Sequence, residues 1–367
     1  MGLELYEKMR EIDKLLGLRS ICCKKSLVEV RWKCGKAKGG EYVTGYIEDT
    51  TFIKEQALKF GNEHVEGILV PALGSNLLSL KLKHKDIQVL RTPDCSEDYK
   101  KLPILYGMPI LFPPNRIEDG QFTYKHTTYR FPINEREKSN HIHGFLHDKP
   151  WSVIKREVIG NQVVIKTEFS SRDFPYLKKS FPQDIVVNMS LILIDDGLEV
   201  QLEILNNGLE PFPFGAGYHT VFNFPFGADS KIENCQIALP VNKHWELNER
   251  SLPTGEIGES ANKKEIQNGL CLEGRLFDDI FSYDEESNLN NECILTDQEA
   301  GVQVIYHVDH HYKFWVLFNQ DGFVCPEPYT WVTNAPNLDL SAEFTGVKEL
   351  GTGEKVLLKT KLVLKEI

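Results

Sequence analysis

The chain has 367 residues, 41% hydrophobic and 26% charged, which is enough apolar material for a large core in one domain or two. A net charge of −11 and an isoelectric point near 5.6 leave no electrostatic footprint for nucleic acid or an anionic membrane surface. The ligand to expect is a neutral small molecule or a protein.

Residues 4–17 place Leu5, Met9, Ile12 and Leu16 at helical spacing, with Gly17 as a stop, and 19–40 form a basic connector ending in Gly39-Gly40. The first 48 residues therefore read as an N-terminal extension, a short helix plus connector, ahead of a domain over 49–367. The charged N-terminus does not read as a signal peptide, and no run of 18 apolar residues occurs. The eight cysteines are scattered without C-x-x-C pairs. The expectation is a cytoplasmic protein with reduced thiols.

From about Thr50 the pattern becomes β. The run Val65–Leu82 holds two strands about a Pro-Ala-Leu-Gly-Ser turn, with Leu78, Leu80 and Leu82 alternating with polar partners. Gln121–Tyr124 and Thr128–Phe131 read as a hairpin, and Gln162–Phe169 as a strand. Ile185–Ile194 and Leu198–Leu205 are period-two runs joined by Asp195-Asp196-Gly197. Gly301–Val308, Lys313–Asn319 and Val356–Leu364 complete the set. Many short strands with turn chemistry between them predict one all-β domain, a large antiparallel β-sandwich.

Polar residues interrupt this pattern at a few places. Asn115-Arg116 follows Phe112-Pro113-Pro114, whose prolines would stiffen the base of Arg116; a surface ion pair with Glu118 or Asp119 is the competing reading. His141 and His143 are two apart, so in a strand both imidazoles would share a face and could meet one ligand, even a metal. A loop histidine bonded to backbone explains that motif equally well. His219 follows Gly215-Ala-Gly217-Tyr218, where small residues admit close approach to the backbone; a strand bend is the plain alternative. Glu327 lies between Pro326 and Pro328, so a carboxylate held there would lose little freedom on acting as a base. Asp278-Asp279 is a carboxylate pair in an apolar frame, a weak signal by itself.

Together these segments resemble the aldose 1-epimerases, or galactose mutarotases. The resemblance rests on GMPILFPPNRIEDGQFTY, NHIHG (140–144), GYH (217–219), DDIF (278–281) and PEPYT (326–330), in consistent order over roughly 50–365. It implies a galactose mutarotase-like β-sandwich with Glu327 as general base and His219 as general acid. Arg116, Asn115, His143 and Asp278 are implied to hold the sugar. It implies neither cofactor nor metal, a small-molecule sugar as partner, and a monomer or homodimer. Two departures bear on sugar identity: Thr220-Val221 stand where the family usually has Pro-Tyr, and Phe145-Leu146-His147 follow His143-Gly144.

Mutarotation fits these residue types, since a carboxylate and an imidazolium on opposite sides of a hemiacetal can move both protons at once. A carboxylate beside His219 is expected to raise its pKa and keep it protonated. Other readings remain open at this stage: a non-catalytic sugar sensor, a hexose-phosphate mutarotase, a metalloenzyme using His141, His143 and His219, and a two-carboxylate glycosidase using Asp278 and Glu327.

Overall fold

The computed structural model describes residues 44–367, and three antiparallel sheets make up most of it. The helix expected over 4–17 and the connector over 19–40 lie outside the described residues. Tyr46–Phe52, Glu55–Gly61, Val65–Val70, Asn76–Leu82 and Ile87–Gln88 form a five-stranded meander in sequence order.

An eight-stranded sheet follows, ordered Ser152–Ile159, Gln162–Ser170, Ile185–Ile194, Gly197–Asn206, Lys355–Glu366, Val302–Val308, Glu292–Asp297 and Cys235–Ala238. Its long strands alternate strictly. In Ile185–Ile194 every odd residue is buried and every even one half-exposed, the period of a sheet with one face on the core. The hairpin expected at Asp195-Asp196-Gly197 forms, with Ile194 paired to Gly197.

The third sheet carries the candidate residues Asp278 and Glu327. Its order is Pro253–Glu259, Val241–Leu247, Asp278–Tyr283, Phe314–Gln320, Phe323–Tyr329, Gly217–Tyr218 and Ile110–Leu111, and Phe222–Asn223 also pairs with Phe323–Tyr329. Here alternation gives way to burial on both faces: Phe323–Tyr329 is buried throughout and Phe314–Gln320 nearly so. Trp315, Leu317 and Val324 enter the main core from one face. On the other, Val316, Phe318, Cys325 and Glu327 face the opposite way. Asp278 lies across from Phe318, and Ile280 from Val316, which continues the same face onto the neighbouring strand.

Antiparallel β-architecture is thus found as expected, and helices among the described residues are short. Phe323–Tyr329 was not legible as a strand, because two prolines in seven residues argue against a central strand.

Candidate active site

Glu327 and His219 form the centre. His219 Nε2 is 3.3 Å from Glu327 Oε1, and the two side chains are only 6% and 3% exposed, respectively. The Tyr329 hydroxyl donates to the other carboxylate oxygen, Oε2. Tyr329 is two residues from Glu327 and so on the same face of the strand. The His143 ring meets the His219 ring edge-on, with centroids 5.2 Å apart, and Phe318 flanks His219 from the side at 6.3 Å.

Burial governs the ionisation of this pair. It pushes the Glu327 carboxyl well above the usual carboxylate range, with Asp278 adding to the rise and the Tyr329 hydrogen bond opposing it. It pushes His219 down to about 3, and His147 and Arg116 act in the same direction. The expectation of a raised His219 is therefore overturned: loss of solvent outweighs the carboxylate, which itself prefers to hold a proton here. Burial thus favours the neutral form of each group. The same desolvation lowers His143 well below its ordinary value.

Arg116 is buried, at 3% exposure, and its Nε donates to Glu135 Oε2 at 3.0 Å and Oε1 at 3.2 Å. The surface pair with Glu118 or Asp119 is not what forms, since Arg250 takes both of those carboxylates, at 3.0 and 2.7 Å. Asn140 Nδ2 also donates to Glu135, at 3.0 Å. Asn115 serves as the joint. At φ +54° its Oδ1 accepts the Arg116 backbone N–H at 2.8 Å, and its carbonyl accepts the His143 N–H at 3.0 Å. Its side chain also adjoins the Tyr329 hydroxyl.

His141 and His143 part company. The strand Asn140–Ile142 ends before His143, which adopts φ +68°, so the shared face expected from their spacing is lost. His141 stacks on Phe131 at 4.8 Å, with Nδ1 2.8 Å from the Pro132 carbonyl, the backbone-bonded state weighed above. Only His143 reaches His219, and the three histidines do not gather round one point. Gly144 has φ +67°, and a Cβ there would lie 2.0 Å from the Phe112 carbonyl oxygen. Glycine is what lets the two segments touch.

Asp278 is half-buried on the same face, one row along from Glu327. A cavity of about 640 Å³ opens beside it, lined in part by Asp278, Phe318 and Phe323, and reaching neither His219 nor Glu327 directly. Its neighbour Asp279 turns to the other face and pairs with His244 at 2.7 Å. The two departures near His219 have structural roles. Thr220 Oγ1 donates to the Tyr306 hydroxyl at 3.1 Å, and Val221 packs with Leu105, Phe318, Phe323 and Cys325.

The residues missed from the sequence are Glu135, Tyr329 and Phe318. Tyr329 had a usable signal in its two-residue offset from Glu327. Glu135 had none, being 19 residues from its partner with a hairpin between them.

Taken with the sheet order, this is the fold of galactose mutarotase-like proteins. A crystal structure of one such protein from Clostridium acetobutylicum matches with a TM-score of 0.84 and 30% identity, over 88% of this chain and 99% of that one. Galactose 1-epimerase from Lactobacillus acidophilus NCFM shares the fold, with a TM-score of 0.66 and 15% identity over 88% of this chain and 99% of that one. Residues 56–362 match the aldose 1-epimerase family, and the chain belongs to it. The uncharacterized protein YihR of Escherichia coli (strain K12) is 24% identical over 218 residues, 56% of this chain. The match spans 65% of the length of that curated relative.

Proposed function

We propose that the chain is an aldose 1-epimerase that interconverts the α and β anomers of a free, neutral hexose. The observation that carries this reading is the buried His219–Glu327 contact at 3.3 Å, with Tyr329 on the second carboxylate oxygen.

A cyclic hemiacetal opens when its anomeric hydroxyl loses a proton and its ring oxygen gains one. The bond from C1 to the ring oxygen breaks and leaves an aldehyde. Rotation about C1–C2 presents the other face, and the reverse transfers reclose the ring. Glu327 takes the proton from the anomeric hydroxyl and His219 supplies the ring oxygen; the two exchange roles on closure. Such a pair needs one proton in total. Sugar hydroxyls entering between them would replace lost solvation and permit the charged forms. Nδ1 of His219 and of His143 are buried without partners among the described residues, so hydroxyls arriving there gain bonds that these residues leave unmade. Arg116, set by Glu135, and Asp278 would hold the remaining hydroxyls. The scheme draws on no cofactor.

The test is the relaxation of optical rotation in freshly dissolved α-glucose and α-galactose. Glu327→Gln should keep the fold and lose about 10²–10⁴ in rate, the usual worth of a positioned base. A variant as fast as the parent would overturn the assignment. Hexose binding by the parent with no rate above buffer would make the chain a sugar-binding protein instead.

A further inference from the structure

Glu135 sets Arg116, and Glu135 is itself set from the far edge of the third sheet. There the edge strand Pro253–Glu259 and its neighbour Val241–Leu247 are joined by a turn over 248–252 that reaches across to residues 138–140. The turn is braced within itself. Asn248 Oδ1 accepts the backbone N–H of Arg250 at 2.9 Å and of Leu252 at 3.1 Å, and the Asn248 carbonyl accepts that of Ser251 at 2.8 Å. Leu252 is buried, so Arg250 projects from a fixed root.

Every nitrogen of the Arg250 guanidinium is engaged. Nε donates to the Lys138 carbonyl at 2.8 Å, and Nη2 to the Ser139 carbonyl at 3.0 Å and to Asn140 Oδ1 at 3.2 Å. Nη1 meets Glu118 at 3.0 Å, and Nη2 also meets Asp119 at 2.7 Å. Asn140 is thereby held at both ends of its amide, since its Nδ2 donates to the Arg250 carbonyl at 3.0 Å. The same Nδ2 donates to Glu135 Oε2, also at 3.0 Å. Asn140 is fully buried, so turning its amide would break bonds that no water replaces. A continuous run of hydrogen bonds leads from Arg250 through Asn140 and Glu135 to Arg116.

Two roles for Arg250 differ in what they demand of the side chain. Ion pairs with Glu118 and Asp119 alone need only a positive charge, and lysine would serve. The bonds to Lys138, Ser139 and Asn140 need donors spread over a planar fork, which a single ammonium nitrogen does not supply.

Resting on the epimerase reading above, we infer that Arg250 is a positioning residue for Arg116, acting through Asn140 and Glu135. The 248–252 turn thus sets hexose affinity without contact with the sugar. Loss of the fork frees the Asn140 amide, Glu135 loses a fixed donor, and the Arg116 guanidinium gains room to turn.

The experiment measures KM and kcat for anomer exchange of glucose and galactose in four variants: Arg250→Lys, Asp119→Asn, Glu135→Gln, and Arg250→Lys combined with Glu135→Gln. The Arg250 side chain is 27% exposed among polar neighbours, so the lysine disturbs no apolar core; a urea titration checks the fold, and Arg250→Gln is the second probe of the same position. KM should rise about fivefold in Arg250→Lys with kcat within about twofold of the parent. Asp119→Asn should leave both within about twofold, because an exposed ion pair is worth little. The double variant should stand within about twofold of Glu135→Gln alone, since effects along one path do not multiply as independent ones do. A multiplied loss, or a KM unchanged in Arg250→Lys, would overturn the inference and leave the epimerase reading intact. So would equal losses in Arg250→Lys and Asp119→Asn, the mark of a surface-charge effect. If the parent binds hexose without accelerating exchange, the epimerase reading falls, and the same comparisons made on Kd by calorimetry decide the inference. No hexose binding would overturn both.

Discussion

His219 stands directly across from Glu327, although no ladder hydrogen bond joins them. Gly217 pairs with Tyr329 and Phe222 with Val324, so both ends of this strand pair keep one register, and that register sets 219 opposite 327. Between the two ends the segment lifts away: the His219 N–H goes to the Pro109 carbonyl at 3.1 Å and the Val221 N–H to that of Gly107 at 2.9 Å. Pro326 and Pro328 fall in this stretch. Backbone alternation points their nitrogens to the lifted side, as the Thr330 N–H, bonded to Ala216, shows at 3.0 Å. The prolines therefore give up donors where the ladder is already open. One local feature accommodates both prolines and makes room for the imidazole beside the carboxylate.

Tyr329→Phe tests the hydroxyl on Glu327. That hydrogen bond pulls the Glu327 pKa down against burial. Without it the carboxyl rises further, a smaller fraction is ionised at a given pH, and the rising acid limb of the rate profile moves to higher pH. A hydrogen bond to a charged acceptor is worth about 1.5–3 kcal/mol, so kcat near neutrality should fall about tenfold or more. A pH–rate profile from 5 to 9 checks both the drop and the direction; an unmoved acid limb would show that the hydroxyl is only packing.

Glu135→Gln tests whether Arg116 is positioned from behind. Glu135 engages Arg116 Nε through both oxygens and is itself held by Asn140. Replacing the carboxylate by an amide of the same shape weakens a charge-assisted bond and lets the guanidinium turn. KM for a hexose should rise about tenfold, a loss near 1.4 kcal/mol, while kcat moves less. Equal losses in both parameters would instead put Arg116 in the chemical step.

The β-architecture was legible where one face of a sheet meets water. Ile185–Ile194 and its hairpin partner show clean alternation, because each residue reports the side it faces. The central strands of the third sheet were legible only in part. Buried on both faces, Phe323–Tyr329 has no polar phase, and its prolines disguise it further. The candidate residues Glu327, His219, Arg116, His143 and Asp278 are singled out by motif order, yet their electrostatics are not. A carboxylate beside His219 predicts a raised pKa only while both stay solvated, and the extent of burial is not written in local sequence. The histidine pair misled for a different reason: a spacing of two implies one face only inside a strand, and His143 sits just past the end of one.

Gly217→Ala tests how closely the strand must approach Tyr329. A Cβ at 217 would lie 2.3 Å from the Tyr329 ring and 2.7 Å from the Pro328 carbonyl. Gly217 has no positive φ, so the cost is steric. Overpacking of this kind costs about 1–3 kcal/mol, and the ring that must yield is the one bonded to Glu327. Stability in a urea titration should fall by that amount and kcat should fall with it. Full activity in a destabilised Gly217→Ala would show that Tyr329 need not keep its place.

His141 gives a pH signature in stability, separable from catalysis. It is buried against Phe131 and bonded through Nδ1 to the Pro132 carbonyl, and burial holds its pKa down at about 4. The unfolded chain protonates this ring near pH 6.5. Between about pH 6.5 and 4 the unfolded state thus binds more protons, and stability must rise with pH across that window. The contribution is fully present above 6.5 and is lost as pH falls toward 4, amounting to about 2 kcal/mol between pH 7 and pH 5. His219 acts with the same sign and Glu327 with the opposite one, so the wild-type slope is a sum. His141→Phe isolates one member of it: urea titrations at the two pH values should show the stability difference reduced by about 2 kcal/mol relative to the parent. An unchanged difference would mean that the His141 ring takes up its proton in the folded protein without cost.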